Sequence, residues 1–347
     1  MNVSSMRLAV SSVMPHFPLK LLFGLVAAML AASSLGEEVT QTEHRGSYTR
    51  NGRIHVGLFG HPDGKPLTTG HQDMKPSWSK AGDRLIFFRL VEHDPSIAYW
   101  KTAICVINTD GTGFHRLTDG THTDFNPTWT RDGSNLAVFS RLDRKTRGFF
   151  VMFSKHDGRP GDEYTVSDTR RHTFANSCLT DGRILVAASN PRGYYLMTPA
   201  RDNRAKYEPI ECALAKQGLL DRISISPSEK RVCFEFQKGF GKYRYPGRVI
   251  YIADFDAKAR TIKNPKAIAN EKAEPDLPYL YPRWTRDESA VVYHCNRNRK
   301  SSGGDDSDIW DGGNQIYMYR LEDGATERVS TDPNANYMYP HGERSPK

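Results

Sequence analysis

Short apolar stretches recur along the chain, and each ends in a polar turn rich in Asp, Gly or Ser. Examples are RLIFF (84–88), LAVFS (136–140) and AVVYHC (290–295). Stretches of this length, rich in β-branched and aromatic residues and bounded by turn residues, are typical of β-strands. Helical periodicity is nearly absent, and residues 211–220 form the one candidate for a short helix. The pattern predicts an all-β protein.

The strands belong to a repeat. Its anchor positions lie 51, 49, 47 and 59 residues apart, at Trp78, Trp129, Cys178, Ile225 and Trp284. Each anchor leads into two predicted strands joined by a turn, and a third and a fourth strand follow. Four antiparallel strands repeating at this period are the signature of a β-propeller blade.

The two ends of the chain supply fragments of one more unit. Residues 53–70 resemble the third and fourth strands of a unit without its beginning, and residues 336–347 resemble the beginning of a unit without its end. A blade shared by both fragments would close the ring and hide strand edges. Five full units and this composite predict six blades, although the C-terminal fragment is too short for a full second strand.

The N-terminal 36 residues have the features of a secretory signal. Lys20 precedes an apolar run (21–32), and small residues then precede two glutamates. The run is short for a membrane span, although a retained anchor is the alternative. We therefore expect a signal peptide at 1–36, a single catalytic propeller at 37–347, secretion or a periplasmic location, and no membrane association after the signal is removed.

The chain is basic and its charges are dispersed. It carries a net charge of +8 and has a pI near 9.1, but no run of five or more Lys and Arg residues. This favours an anionic polymer over nucleic acid as the partner, although mild basicity can also serve only solubility. We expect no nucleic-acid partner and a monomeric state.

The cysteines indicate no disulfide framework. There are five, an odd number, and none forms a CxxC pair. Several lie in strand-like sequence, where a buried thiol behaves as a small apolar side chain.

One face of the predicted propeller collects basic and aromatic residues. In a propeller, the connections between blades and those from the second to the third strand emerge on the same face. The residues predicted there are His71, His122, Arg141, Arg144, Arg147, Arg171, His172, Arg192, Tyr194, Arg222, Tyr243, Arg244 and Tyr245. Arg forks match carboxylate and sulfate groups, and aromatic rings stack on sugars, so this face suits an acidic polysaccharide.

Two reactions on such a polymer are considered. β-Elimination at a uronate needs a group that neutralises the carboxylate, a base for the C5 proton and an acid for the leaving oxygen, roles that Arg, His and Tyr can fill. Hydrolysis would need two carboxylates, and Asp73 and Asp124 are the obvious pair. Their regular place in the repeat favours a structural role, bonding backbone amides.

The blade sequences resemble TolB-like propellers, most clearly at residues 103–120 and 125–141. Residues 57–78, 122–133, 218–227, 243–256 and 339–343 also resemble secreted propeller polysaccharide lyases, the ulvan lyases most of all, with oligogalacturonate lyases as more distant relatives. This resemblance implies β-elimination in a sulfated, uronate-containing polysaccharide, with no cofactor required for catalysis. That family is usually described as seven-bladed, which departs from the predicted six.

The resemblance also assigns roles. It implies His122 and either Tyr194 or Tyr245 as the residues that exchange protons, and Arg222 or Arg204 as the group that neutralises the carboxylate. His172 matches a second family histidine, and His71, Arg141, Tyr243 and Arg244 are expected to bind substrate. Each has a structural alternative: a loop histidine bonded to backbone, a tyrosine that only packs, and, for Arg204, a turn on the far face.

A metal site is a further expectation. The resemblance to ulvan lyases implies a structural zinc, and the candidate ligands are Cys233, His294, Cys295 and His341. Because neighbouring residues of a strand point to opposite faces, His294 and Cys295 can share an ion only if the strand ends between them. The alternative is a catalytic divalent ion held by His71, His122 and His341, as in an oligogalacturonate-type lyase.

The sequence therefore predicts a secreted polysaccharide lyase. The alternatives are a non-catalytic TolB-like propeller that binds protein or glycan through the same face, and a metal-dependent oligogalacturonate-type lyase.

Overall fold

The structure is a computed structural model that describes residues 42–62, 64–69, 72–93, 100–143, 145, 148–239, 248–268, 279–295 and 313–342. The predicted signal peptide lies outside these residues. His71, Arg144, Arg147, Tyr243, Arg244 and Tyr245 also lie outside them. All described residues belong to one compact unit, Val39–Lys347.

Within the described residues, twenty-five strands form six sheets, which are the blades of a six-bladed propeller. In chain order, the first strands are β1 (Arg45–Arg50), β2 (Arg53–Leu58) and β3 (Lys65–Pro66). Blade 1 contains β4 (Asp73–Trp78), β5 (Arg84–His93), β6 (Trp100–Asn108) and β7 (His115–Arg116). Blade 2 contains β8 (Thr123–Trp129), β9 (Leu136–Asp143), β10 (Gly148–Lys155) and β11 (Tyr164–Thr165).

Blade 3 contains β12 (Thr173–Cys178), β13 (Ile184–Ser189), β14 (Arg192–Thr198) and β15 (Lys206–Pro209). Blade 4 contains β16 (Glu211–Cys212), β17 (Gly218–Ile225), β18 (Arg231–Lys238), β19 (Val249–Asp256) and β20 (Thr261–Ala267). Blade 5 contains β21 (Tyr279–Trp284), β22 (Ala290–Cys295), β23 (Gln315–Arg320) and β24 (Thr326–Arg328), and β25 (Tyr337–Gly342) is the last strand.

The prediction of six blades is confirmed, and the sixth is shared by the chain ends. Its order is β25, β1, β2, β3, so the C-terminal strand is the innermost one and the N-terminal segment supplies the other three. The second strand that the C-terminal fragment was too short to provide is therefore Arg45–Arg50, which pairs with β25 in antiparallel register. This shared blade joins the two ends of the chain and closes the ring of blades.

Blade 4 differs from the others by one short strand. β16 pairs in parallel with the outer strand β20, and a single 3₁₀ turn, Leu214–Lys216, follows it. This turn replaces the short helix that residues 211–220 suggested, and it is the only helical element among the described residues. No described helix is long and apolar enough to span a membrane.

The hydrophobic core lies between the blades. Cys233, Trp284, Tyr293, Cys295 and Tyr317, for example, pack together between blades 4 and 5. All five cysteines of the chain are buried and none is in a disulfide, as the sequence indicated. Burial raises the pKa of the Cys233 thiol to about 12, which is the behaviour of a packing residue and not of a reactive one.

Tryptophans of the repeat fasten neighbouring inner strands to each other. The indole NH of Trp129 donates to the carbonyl of Ser77 (3.1 Å), and that of Trp284 donates to Ser224 (3.1 Å). The indole NH of Trp78 in blade 1 donates in the same way to the carbonyl of His341 in blade 6 (3.1 Å). These rings combine core packing with a hydrogen bond that sets the spacing of the strands around the central channel.

Candidate active site in the central channel

Every inner strand contains a β-bulge at the same place. On β4, Lys75 and Pro76 lie opposite the single residue Phe87 of β5, because the pairing shifts between Met74 and Ser77. The same shift occurs on β8, β12, β17, β21 and β25. An extra residue in a strand bends it and redirects one side chain.

In five of the six inner strands the first bulge residue has left-handed backbone geometry. Their φ angles lie between 50° and 56°, at Lys75, Asn126, Arg222, Tyr281 and Tyr339. These residues come from blades 1, 2, 4, 5 and 6, and we call them the channel cluster. A positive φ is uncommon for residues other than glycine. Its recurrence at one position shows that the bulge is a regular feature of the repeat.

The channel cluster residues contact one another across the ring. The Lys75 ammonium lies 3.3 Å from Asn126 Oδ1 and 4.2 Å from the centre of the Tyr281 ring. The Arg222 guanidinium lies 4.0 Å from the centre of the same ring. Tyr281 and Tyr339 meet edge to face, with their ring centres 4.4 Å apart. Residues far apart in the chain thus form one polar and aromatic group.

Lys75 has an unusual electrostatic environment. Its side chain is partly exposed inside the channel, and desolvation by the surrounding wall, reinforced by the charges of Arg222 and Arg283, holds the pKa of its ammonium well below the ordinary value. Asp221 and Glu235 act in the opposite direction but do not compensate. A lysine whose pKa is lowered in this way can serve as a base near neutral pH.

A buried ionic network supports the cluster from blade 4. Arg222 donates to Glu235 (2.6 Å), and the buried Arg248 donates to the same carboxylate and to Asp221 (3.1 Å). The other oxygen of Glu235 accepts the backbone NH of Tyr281 (2.6 Å). Glu235 therefore holds the Arg222 side chain and the Tyr281 backbone in place. The two carboxylates, Asp221 and Glu235, balance the charges of the two guanidinium groups, Arg222 and Arg248.

His294 packs against the cluster from the second strand of blade 5. Its ring stacks on Tyr281 (5.2 Å between centres), and its Nδ1 accepts the backbone NH of Tyr339 (3.1 Å). Burial, with the charges of Arg222 and Lys75, holds its pKa well below the ordinary value. Its Nε2 is buried without a hydrogen-bond partner among the described residues.

The four predicted zinc ligands are not brought together. Cys233 and Cys295 belong to the core between blades 4 and 5, whereas His294 points to the opposite side of its sheet, as strand alternation requires. His341 lies on the inner strand of blade 6. Within the described ranges, no group of three or more His, Cys, Asp or Glu side chains could hold a metal ion. These residues do not fit a zinc site.

The face where the inner strands begin, here called the upper face, carries part of the predicted site. His122 is exposed directly before β8, and His172 is half-buried directly before β12. A Cβ on Gly148 would lie 1.4 Å from Nδ1 of His172, so only glycine allows this ring its position. The two histidines occupy equivalent places at the entrances of neighbouring inner strands.

Other predicted residues are already engaged. Tyr194 donates its hydroxyl to the carbonyl of Leu220 (2.6 Å) and accepts the NH of the same residue (2.8 Å), and burial raises its pKa. Arg141 forms a two-bond pair with Asp124 (2.7 and 2.9 Å) and also binds Glu163 (2.9 Å). Neither side chain is poised for the predicted role, because its polar atoms hold neighbouring elements together.

The carboxylates considered for hydrolysis have a structural role. Asp73 is buried and pairs with Arg89 on the next strand (2.6 and 2.9 Å), in the same way that Asp124 pairs with Arg141. The expected partners were backbone amides, and the observed ones are arginine side chains. A carboxylate held by two charge-assisted bonds is not free to act as a general acid or base.

Arg204 lies on the opposite face. It is exposed in the turn between β14 and β15, where it contacts Asp202 (3.2 Å), and turns from the third to the fourth strand emerge on the lower face. This position separates Arg204 from His122 and removes it from the site. Arg222, the other candidate for the role, belongs to the channel cluster.

Sequence reasoning missed Lys75, Asn126, Tyr281 and Tyr339. Their common signal is a fixed position three residues before the anchor of the repeat, followed by proline in all four cases. Proline marked a strand irregularity there, but not the direction of the side chain.

Acid should weaken the fold through His341. Burial and the charge of Arg283 lower its pKa from 6.5 to about 3, against a hydrogen bond to the Pro76 backbone. Between these two pH values the unfolded chain binds a proton at His341 and the folded chain does not. The contribution of His341 to the free energy of unfolding therefore falls as pH drops from about 6.5 to about 3. In urea unfolding, His341→Gln should lose less stability than the unchanged protein between neutral pH and about pH 4. Equal losses would contradict the assignment.

Comparisons with known proteins agree on the fold. No protein-family model matches the chain, and no curated protein matches it. Among solved structures, TolB from Acinetobacter baumannii has a TM-score of 0.60 at 10% identity, over 96% of this chain and 74% of that one. Hydrazine synthase from Kuenenia stuttgartiensis has a TM-score of 0.60 at 14% identity, over 88% and 46%.

A third structure, described as TolB from Agrobacterium tumefaciens, has a TM-score of 0.54 at 13% identity, over 86% of this chain and 98% of that one. Likeness at these identities establishes architecture and leaves activity open. The chain shares the β-propeller fold of these structures.

Proposed function

We propose that this propeller binds an acidic polysaccharide at the upper mouth of its central channel and cleaves it at a uronate by β-elimination. The observation that carries the proposal is the channel cluster, where an amine with a lowered pKa lies between a guanidinium and two phenol rings. Those are the residue types that the three roles of the reaction require.

The roles are assigned from the geometry of the cluster. Lys75 is the base that removes the C5 proton, because its neutral form is populated at a higher fraction than in an ordinary lysine. Arg222, whose guanidinium lies 4.0 Å from the centre of the Tyr281 ring and whose charge acts on Lys75, faces the carboxylate. A phenol of Tyr281 or Tyr339 protonates the leaving oxygen. The C5–H bond breaks, the C4–O bond breaks, and a C4–C5 double bond forms.

The upper rim would guide the chain to this cluster. His122 and His172 flank neighbouring entrances, and three phenylalanines lie close by: Phe125, Phe149 and Phe174, with ring centres 5.2 to 5.7 Å apart. Partly exposed rings of this kind can pack against the apolar faces of sugars. His122 is the competing candidate for the base, as the resemblance to ulvan lyases implies.

A binding propeller without catalysis is the second candidate. It is favoured by the ion pairs of Arg222, whose charge is already shared with Glu235 and Asp221. In that case the same channel would hold an acidic glycan and leave its bonds intact.

The experiment is incubation of the pure protein with ulvan and other uronate polysaccharides, with a neutral glucan as control. Ultraviolet absorbance of the unsaturated product should rise with the acidic polymers and not with the glucan. Binding without a rise in absorbance would support the second candidate. Hydrolysis products without the unsaturated chromophore would contradict the elimination.

A further inference from the structure

The channel cluster does not fill the channel. Below it, at the ends of the inner strands, lies a cavity of about 350 Å³. A volume of this size is at the small end of the range for small-molecule sites, so it suits one compact ligand and not a polymer. We call it the lower cavity.

Six positions, one from each blade, form a ring in its wall. These are the residues directly before the repeat anchors and the equivalent one in blade 6: Ser77, Thr128, Ser177, Ser224, Arg283 and His341. Four carry hydroxyl groups, and one carries a positive charge. Because side chains of a strand alternate between the two faces of the sheet, residues at this one position lie on the same face of each blade, and all six line the cavity.

The charge of the wall has one sign. Lys80, Arg131, Arg283 and Arg286 line the lower cavity, and none of the described residues that line it is an Asp or a Glu. Arg131 and Arg286 donate to backbone carbonyls across the mouth, those of Pro227 (2.7 Å) and Lys80 (2.9 Å). Arg283 donates to the carbonyl of Pro282 (3.2 Å) and forms no ion pair with any described carboxylate. An anion is therefore favoured inside.

His341 requires a hydrogen-bond donor from any ligand in the lower cavity. Its ring is held by a hydrogen bond to the Pro76 backbone, and its Nδ1 is buried without a partner in the described part of the chain. In the neutral ring that this environment favours, the nitrogen opposite the donating one is an acceptor. A ligand that satisfies it must bring a donor, such as a hydroxyl group, besides the negative charge that Arg283 favours.

We propose that the lower cavity is a binding site for a small polyhydroxy carboxylate of the size of one hexuronate. The carboxylate pairs with Arg283, the ring of serine and threonine hydroxyls donates to it and to the sugar oxygens, and a ligand hydroxyl donates to Nδ1 of His341. The site is distinct from the channel cluster and does not depend on the elimination reaction proposed above.

Calorimetry with glucuronate and galacturonate tests the site, with glucose, acetate and sulfate as controls. We expect a hexuronate to bind at least about tenfold more tightly than any control, because only it offers both the charge and the hydroxyl groups. Arg283→Gln should weaken hexuronate binding by about tenfold or more, and Thr128→Val, which keeps the shape and removes a hydroxyl, by a few-fold. Arg204→Gln, in an exposed turn that does not line the lower cavity, should leave the affinity within about twofold.

Three outcomes would overturn the proposal. Equal affinity for sulfate would mean a simple oxyanion site, and equal affinity for glucose would mean that the charge is irrelevant. Loss of hexuronate binding in Lys75→Met with retention in Arg283→Gln would assign the ligand to the channel cluster. Cleavage of polysaccharide is measured separately, so failure of this site and failure of the proposed function are distinguishable.

Discussion

Lys75→Met is expected to lower kcat on a uronate polysaccharide by about 10²–10⁴-fold, the usual contribution of a general base. Methionine keeps the length and apolar stem of the side chain and removes the amine. The contacts with the Tyr281 ring can therefore persist while the proton acceptor is lost. Rates of product formation with saturating substrate give the measurement.

The same variant has a stability readout that tests the lowered pKa of Lys75 independently of substrate. Because the pKa of Lys75 is lowered in the folded state, the unfolded chain binds more protons between that lowered value and about 10.5. The stability of the unchanged protein therefore rises with pH across this window. Lys75→Met should lack that rise, and near neutral pH it should be at least as stable, since no buried charge needs solvation.

His122→Ala is the matched comparison for the base, and Arg204→Gln is the control on the lower face. We expect Arg204→Gln to have full activity. Full activity in Lys75→Met, together with a large loss in His122→Ala, would show that His122 and not Lys75 is the base. Full activity in both variants would contradict the proposed mechanism.

Glu235→Ala should destabilise the protein by about 3–5 kcal/mol, the cost of leaving buried charges without their partner. Glu235 is 1% exposed and holds Arg222, Arg248 and the backbone NH of Tyr281 at once. Its loss leaves two guanidinium groups with one carboxylate, Asp221. Urea unfolding followed by far-ultraviolet circular dichroism gives the free energy.

A double variant separates the charge from the packing. Glu235→Gln with Arg248→Gln removes one charge of each sign and keeps a polar side chain at both positions. We expect it to be more stable than the sum of the two single losses predicts, because neither leaves an unmatched charge in the presence of the other. Simple additivity would mean that the network is not coupled.

The propeller architecture could be predicted from the sequence because it depends on local sequence patterns. Tryptophan anchors such as Trp129, turn residues and apolar strands repeat at blade spacing, and they gave the number of blades and the shared sixth blade. Arg45–Arg50 was missed as a strand because it contains one tyrosine and no other large apolar residue. Its assignment depends on pairing with a strand nearly 300 residues away.

The site was less accessible for a physical reason. Where a side chain points along a strand depends on register, and one extra residue reverses it. Lys75 and Tyr281 enter the channel only because a bulge with left-handed geometry redirects them, and nothing in their sequence neighbours fixes that geometry. Tyr194 was chosen for its chemistry, yet its hydroxyl is used by the Leu220 backbone, a contact between blades that sequence cannot show.

A crystal structure of Lys75→Met, which should bind substrate without cleaving it, soaked with a uronate oligosaccharide, tests the role of the channel cluster most directly. We expect a sugar at the upper mouth of the channel, with its carboxylate near Arg222 and C5 facing residue 75. An oligosaccharide bound only on the outer blade surfaces, with nothing in the channel, would contradict it.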